Sequence, residues 1–209
     1  MADVKRVNKR AEKASETRRR IIDAARDLFI ERGYGATPLQ DVADRAGVAV
    51  QTIYFVFGNK RTLLKELVDI TIAGDDEPIA TTEQPWFREV VAAESADAQL
   101  RAHVRGARAI LERVAPLVRM VDTAAATDAD VAALWPEGER PRYEVHEAAA
   151  EVLVTKLGIA PGVTAERVAD ILFALLSTEL FLLLVDVRGW SPEEWERWTF
   201  DTLRAQLCA

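Results

Sequence analysis

Apolar residues recur along this chain at helical spacing. Ile21, Ile22, Ala25, Leu28 and Phe29 form one stripe that ends at Gly33. The stretch 37–60, TPLQDVADRAGVAVQTIYFVFGNK, predicts two short helices and the start of a third. The first runs from Pro38 to about Arg45, with Thr37 as N-cap, proline at the first helical position and Gln40 at capping-box spacing. Its apolar side is Leu39, Val42, Ala43 and Ala46. Gly47 stands where the chain must turn at positive φ, and a second helix is predicted over Val50 to Phe55. Such a pair reads as a helix-turn-helix, whose second helix enters the DNA major groove, or as an ordinary αα-hairpin in a helical core. Asn59 caps a following helix that extends to about Ala73 and stops before Gly74-Asp75-Asp76-Glu77-Pro78.

Beyond that point the helical period continues. Trp86-Phe87 and Val90-Val91 open a short amphipathic helix, and Leu100, Val104, Ala107, Ile110, Leu111 and Val114 line another, which Pro116 is expected to break. Tyr143 to Leu157 reads as helix, closed by Gly158 and Pro161-Gly162. Thr164 caps a predicted helix to about Val187 that is apolar on nearly every face, which demands burial on every face. Asp170, Glu179 and Asp186 interrupt it, so it does not read as a membrane span. Ser191-Pro192-Glu193-Glu194 is a capping box for a last helix lined by Trp195, Trp198, Leu203 and Leu207. No strand pattern, internal repeat or low-complexity segment stands out, and the fold class is all-α.

Charge sharpens this picture. The net charge of −7 conceals a division: residues 1–65 carry 14 Lys and Arg against 8 Asp and Glu, net +6, and the remainder is net −13. A basic segment that coincides with the helix-turn-helix is the electrostatic footprint of phosphate contact. Residues 1–16, with Lys5, Arg6, Lys9, Arg10 and Lys13, read as a disordered basic arm, which could follow a DNA groove or serve as a solubilising tail. The single cysteine, Cys208, forms no internal disulfide, and the N-terminus has no signal-peptide core, so a cytoplasmic location is expected.

With Arg18, Ala24-Ala25, Leu28-Phe29, Gly33-Tyr34, Ala36-Thr37, Ala46-Gly47-Val48, Thr52-Ile53-Tyr54, Phe57, Lys60 and Leu63-Leu64 at these mutual spacings, the stretch from Thr17 to Leu64 resembles the DNA-binding domain of the TetR family of bacterial transcriptional regulators. The resemblance implies three parts: a basic arm 1–16, a three-helix DNA-binding domain 17–65, and a larger helical domain 66–209 for effector binding and dimerisation. It implies a homodimer formed through the last two helices, a double-stranded operator, and a small-molecule effector that releases the protein. It places DNA contacts at Val50, Gln51, Thr52, Tyr54 and Phe55, with Lys60, Thr37 and Arg18 near the backbone. Gln51 suits bidentate pairing with adenine and Val50 a thymine methyl. Ile53 and Phe57 read as core. Two departures stand out: many relatives carry Ser or Thr where Ala49 stands, and His where Val56 stands.

Other chemistry lacks its constellation. His146-Glu147 opens like a zinc-peptidase helix, but Ala150 occupies the second histidine position, and with two histidines and one cysteine no metal site is indicated. Gly33-Tyr34-Gly35 lacks the rest of a phosphate loop. No cofactor is implied. For the effector, His103, Arg119, Trp135, Tyr143, Phe173 and Glu179 are the polar or aromatic groups on otherwise apolar helices, with Glu179 requiring a partner if buried. The alternatives are an architectural DNA-binding protein without an effector, and a helical enzyme or scaffold in which the hairpin is incidental.

Overall fold

The computed structural model describes the backbone of residues 2–74 and 80–209 and the side chains of 12–74 and 80–209. The segment Asp75 to Pro78 and the arm residues Lys5, Arg6, Lys9 and Arg10 therefore lie outside the described side chains. Among the described residues the chain is helical, with only two isolated bridges, Ser95 to Leu157 and Ile159 to Cys208. It divides into two compact units, residues 1–71 with 116–134, and residues 72–115 with 135–209. The first unit thus takes in a segment that a division at residue 65 assigned to the larger domain.

In the first unit, α1 (Ala2–Arg32) buries Ile21, Ile22, Ala25, Leu28 and Phe29 against α2 (Leu39–Ala46), α3 (Val50–Phe57) and α4 (Lys60–Ala73). The backbone of residues 2–16 is part of α1, which corrects the expectation of a disordered arm. The reason lies in composition: Ala, Glu, Lys and Arg are strong helix formers, and no glycine or proline occurs before Gly33. Burial of Ile53, Phe57, Leu63, Leu64 and Leu67 completes the core.

In the second unit, α5 (Pro85–Ala92), α6 (Ala96–Ala125, up to Ala115), α8 (Arg140–Leu153), α9 (Ala165–Leu175), α10 (Thr178–Phe181) and α11 (Pro192–Leu207) close over Leu100, Val104, Leu111, Leu153, Leu172, Phe181, Trp195 and Leu203. The rest of α6 and the single turn α7 (Ala129–Ala132) belong to the first unit. Pro116 does not break α6. Buried residues continue through it, from Val114 and Ala115 to Leu117, Met120 and Ala124, and that packing outweighs one missing backbone hydrogen bond.

The helix expected from Thr164 to Val187 is also corrected. It breaks after Leu175, where Ser177 caps α10 by accepting the Leu180 N–H at 3.2 Å, and the segments meet at a 42° bend. A wide turn over Leu182–Val187 follows, with Arg188 N–H bonded to the Leu183 carbonyl at 3.0 Å. No single described helix is long and apolar enough to cross a membrane. The Ser191 capping box is present in full, with its hydroxyl accepting from Glu194 N–H at 3.1 Å and the Glu194 carboxylate from Ser191 N–H at 2.7 Å. Cys208 is not at a frayed end: Ala160 N–H reaches the Leu207 carbonyl at 2.8 Å, Ala209 N–H reaches that of Gly158 at 3.0 Å, and burial pushes the thiol pKa up.

Candidate nucleic-acid interface

The turn between α2 and α3 is set by Gly47. It adopts φ 66 and ψ 42, a left-handed conformation, and the chain closes with Val48 N–H on the Ala43 carbonyl (3.0 Å) and Gly47 N–H on that of Asp44 (3.2 Å). These two bonds are a Schellman motif, which satisfies carbonyls at the end of α2 and turns the chain sharply into α3. Ala49 occupies the N-cap of α3 and supplies no side-chain acceptor.

The eight residues of α3 then divide by face. Ile53 and Phe57, four apart, are buried, while Gln51, Tyr54, Phe55 and Val56 are exposed and Val50 and Thr52 half-buried. Phe55 is 91% exposed, which for a phenylalanine on an ordered helix marks a surface meant to be covered. Tyr54 is exposed as well.

The flanking basic groups are held by the domain itself. The Arg18 guanidinium pairs with Glu66 of α4 and lies 5.7 Å from the Phe57 ring centroid. Lys60 donates its ammonium to the Tyr34 carbonyl and sits 4.2 Å from the Tyr34 ring, and burial lowers its pKa while nearby Asp128 opposes that shift. Lys60 lines a hollow of about 670 Å³ together with Tyr34, Asp128 and Asp130. Arg61 is paired with Asp130. Arg19 and Arg20 project from the exposed side of α1, and Arg20 donates to the Gly47 carbonyl at 3.3 Å.

Thr37 is a correction. It is fully buried, and its hydroxyl donates to the Gly33 carbonyl at 2.8 Å and the Leu28 carbonyl at 3.3 Å, so it ties the end of α1 down and is not available to a phosphate. Nor does it cap α2, whose N-cap is Pro38, and Gln40 bonds Asp44 at 2.8 Å instead of completing a capping box.

The family described as bacterial regulatory proteins, tetR family, matches residues 21–67. Residues 21–67 are a TetR-family helix-turn-helix domain. The chain is 44% identical over 63 residues to the transcriptional regulator TtgR of Pseudomonas putida, a match that covers 30% of each chain. The chain thus spans less than a third of that relative's length. The fold extends further. NalD, the secondary repressor of the MexAB-OprM multidrug efflux pump in Pseudomonas aeruginosa, superposes with a TM-score of 0.66 at 19% identity, covering 94% of this chain and 98% of that one. FadR from Bacillus subtilis, in complex with stearoyl-CoA, superposes with a TM-score of 0.68 at 16% identity, covering 88% and 96%.

The second unit brings only part of the expected effector set together. His103, Tyr143 and Phe173 join a row of rings that also includes Trp86 and His146, two residues missed as ligand candidates although the three-residue spacing of Tyr143 and His146 puts them on one helical face. Trp135 is half-buried in the second unit, and Arg119 is exposed in the first unit. Glu179 is exposed in the first turn of α10, after the break at Ser177, so its carboxylate needs no buried partner. Among the described residues no group of three or more His, Cys, Asp or Glu could hold a metal ion.

Proposed function

We propose that this protein is a TetR-type transcriptional repressor that binds an inverted-repeat operator as a homodimer and is released when a small molecule binds its second unit. The observation that carries the reading is the face of α3 formed by Gln51, Tyr54 and Phe55, exposed on a helix held at a fixed angle by the Gly47 turn. Gln51 offers the donor and acceptor pair that reads adenine, and Val50 and Thr52 flank it at the start of the helix, where recognition helices meet base edges. Lys60, Arg18 and the basic first turns of α1 supply positive charge for phosphate. Dimerisation is supported by apolar side chains left open at the end of the chain, Leu183 at 50% and Val187 at 71% exposure, with Trp198 beside them in the helical order. Release by a ligand follows linkage: a compound that binds the DNA-incompetent arrangement more tightly lowers operator affinity by the same factor.

Selection from randomised double-stranded DNA tests this reading. An inverted repeat with half-sites about 34 to 36 Å apart, or a multiple of that, is the expected product. Gln51→Ala should cost roughly 1 to 3 kcal/mol and relax one base position per half-site. Enrichment of no sequence at all would refute specific regulation and leave architectural binding in its place.

A further inference from the structure

The interior of the second unit carries a polar feature that packing alone does not explain. His103 of α6 and His146 of α8 stack with ring centroids 5.3 Å apart and planes 24° apart, at 2% and 5% exposure. His103 Nε2 and His146 Nδ1 have no hydrogen-bond partner. One helical turn before His103, the buried Gln99 donates to the Ala149 carbonyl at 2.8 Å and leaves its own oxygen unpartnered. A buried polar atom left without a partner is destabilising, so three on two packed helices are more than core packing demands.

Aromatic rings flank the pair. Trp86 of α5 lies 6.0 Å from His103, and Phe173 of α9 lies 6.3 Å from His146. Gly106 makes room for Trp86, since a Cβ there would stand 2.5 Å from the indole. Two charged groups beside the row, Arg142 and Asp170, are already engaged. Arg142 covers the Phe173 ring at 3.7 Å, donates to the Phe173 carbonyl at 2.8 Å and pairs with Glu139, and Asp170 accepts the Tyr143 hydroxyl at 3.2 Å.

We propose that the His103–His146 pair is the recognition point for an uncharged aromatic ligand bearing a hydroxyl or amide group, which hydrogen-bonds to the two unpartnered ring nitrogens and packs against the row from Trp86 to Phe173. The inference rests on the reading of the second unit as the effector-binding part. A neutral imidazole offers one donor and one acceptor, and a hydroxyl can answer both. Burial holds both histidines neutral, with pKa values lowered to about 4 for His103 and about 2 for His146. Two neutral imidazoles offer a carboxylate no cation and an ammonium no anion.

Three bicyclic probes of like shape separate the cases: 2-naphthol, 2-naphthoate and 2-naphthylmethylamine, titrated into the full chain by calorimetry. The naphthol is expected to bind and the two charged analogues not to. His103→Phe with His146→Phe keeps ring volume and removes the nitrogens, so the double variant should weaken naphthol binding roughly tenfold or more while melting no lower than the parent at pH 7.5. Gly106→Ala, which displaces Trp86, should weaken it as well. In the unmodified protein, nitrogen NMR of the imidazoles reads the contact directly, as a shift of His103 Nε2 and His146 Nδ1 on adding naphthol. Absence of binding, equal affinity for the double variant, tighter binding of either charged probe, or unmoved imidazole resonances would overturn the proposal. Operator binding is measured beside it. Naphthol binding that leaves operator affinity unchanged supports the site and refutes effector release, whereas intact operator binding without naphthol binding overturns this inference alone.

Discussion

Two neutral histidines in a protein interior make stability depend on pH with a definite sign. Because the folded chain lowers both pKa values from 6.5, the unfolded chain binds protons first as the solution is acidified. The stabilising difference is intact above about pH 6.5 and is lost progressively as pH falls, towards about 4 for His103 and about 2 for His146, on the order of 2 kcal/mol per histidine by pH 5. Urea denaturation at pH 7.5 and pH 5 should show this loss, and His103→Phe with His146→Phe should remove most of it; an equal loss in the double variant would place the acid sensitivity elsewhere. Thr37 affords a second test. Thr37→Val leaves one buried and one partly buried carbonyl without their hydroxyl partner, and is expected to lower stability by about 1 to 3 kcal/mol with base preference unaltered. An altered preference at unchanged stability would return Thr37 to the DNA surface.

At the scale of the element, α3 is a helix of eight residues with a short buried face and no side-chain cap. Ala49 has φ −73 and ψ 143, an extended conformation suited to a capping serine. Ala49→Ser is expected to raise stability by roughly 0.5 to 2 kcal/mol, read as a higher denaturation midpoint. α6 teaches the opposite lesson about punctuation. Pro116 reads as a helix breaker in isolation, yet its backbone defect sits within a 30-residue helix that is packed on both sides of it, and it marks the border between the two units instead. Ser177 is a weaker signal than proline, but it ends α9 because its hydroxyl and the Leu176 backbone offer a new start to α10.

For the whole molecule, the division of charge and the open apolar side chains set association behaviour. Residues 1–65 at net +6 oppose a remainder at net −13, so operator affinity should fall steeply with salt. Lys60→Ala separates two roles. If Lys60 leaves the Tyr34 carbonyl to meet a phosphate, the variant binds all sequences more weakly, with a salt slope shallower by about one unit; an unchanged slope assigns Lys60 to holding Tyr34. Sedimentation at micromolar concentration should find two chains together, and Leu183→Glu should yield a helical monomer with weakened operator binding, since a charge in an apolar interface is costly. A well-folded monomer of the unmodified chain would refute the proposed dimer.

The sequence alone determined the helical class, the stripe of α1, the Gly47 turn, the burial of Ile53 and Phe57 and the Ser191 capping box. Each depends on residues within a few positions of one another, where periodicity, φ preference and capping chemistry act directly. Tertiary structure decided the rest. Thr37 became a buried tie because the carbonyls of Leu28 and Gly33 lie beside it, Glu179 stands exposed after the break at Ser177, and residues 116–134 joined the first unit although a hundred positions separate them from its start. The pairing of His103 with His146 across 42 intervening positions carries no local signal. It arises only when α6 and α8 pack, and with it comes the most specific chemistry in the second unit.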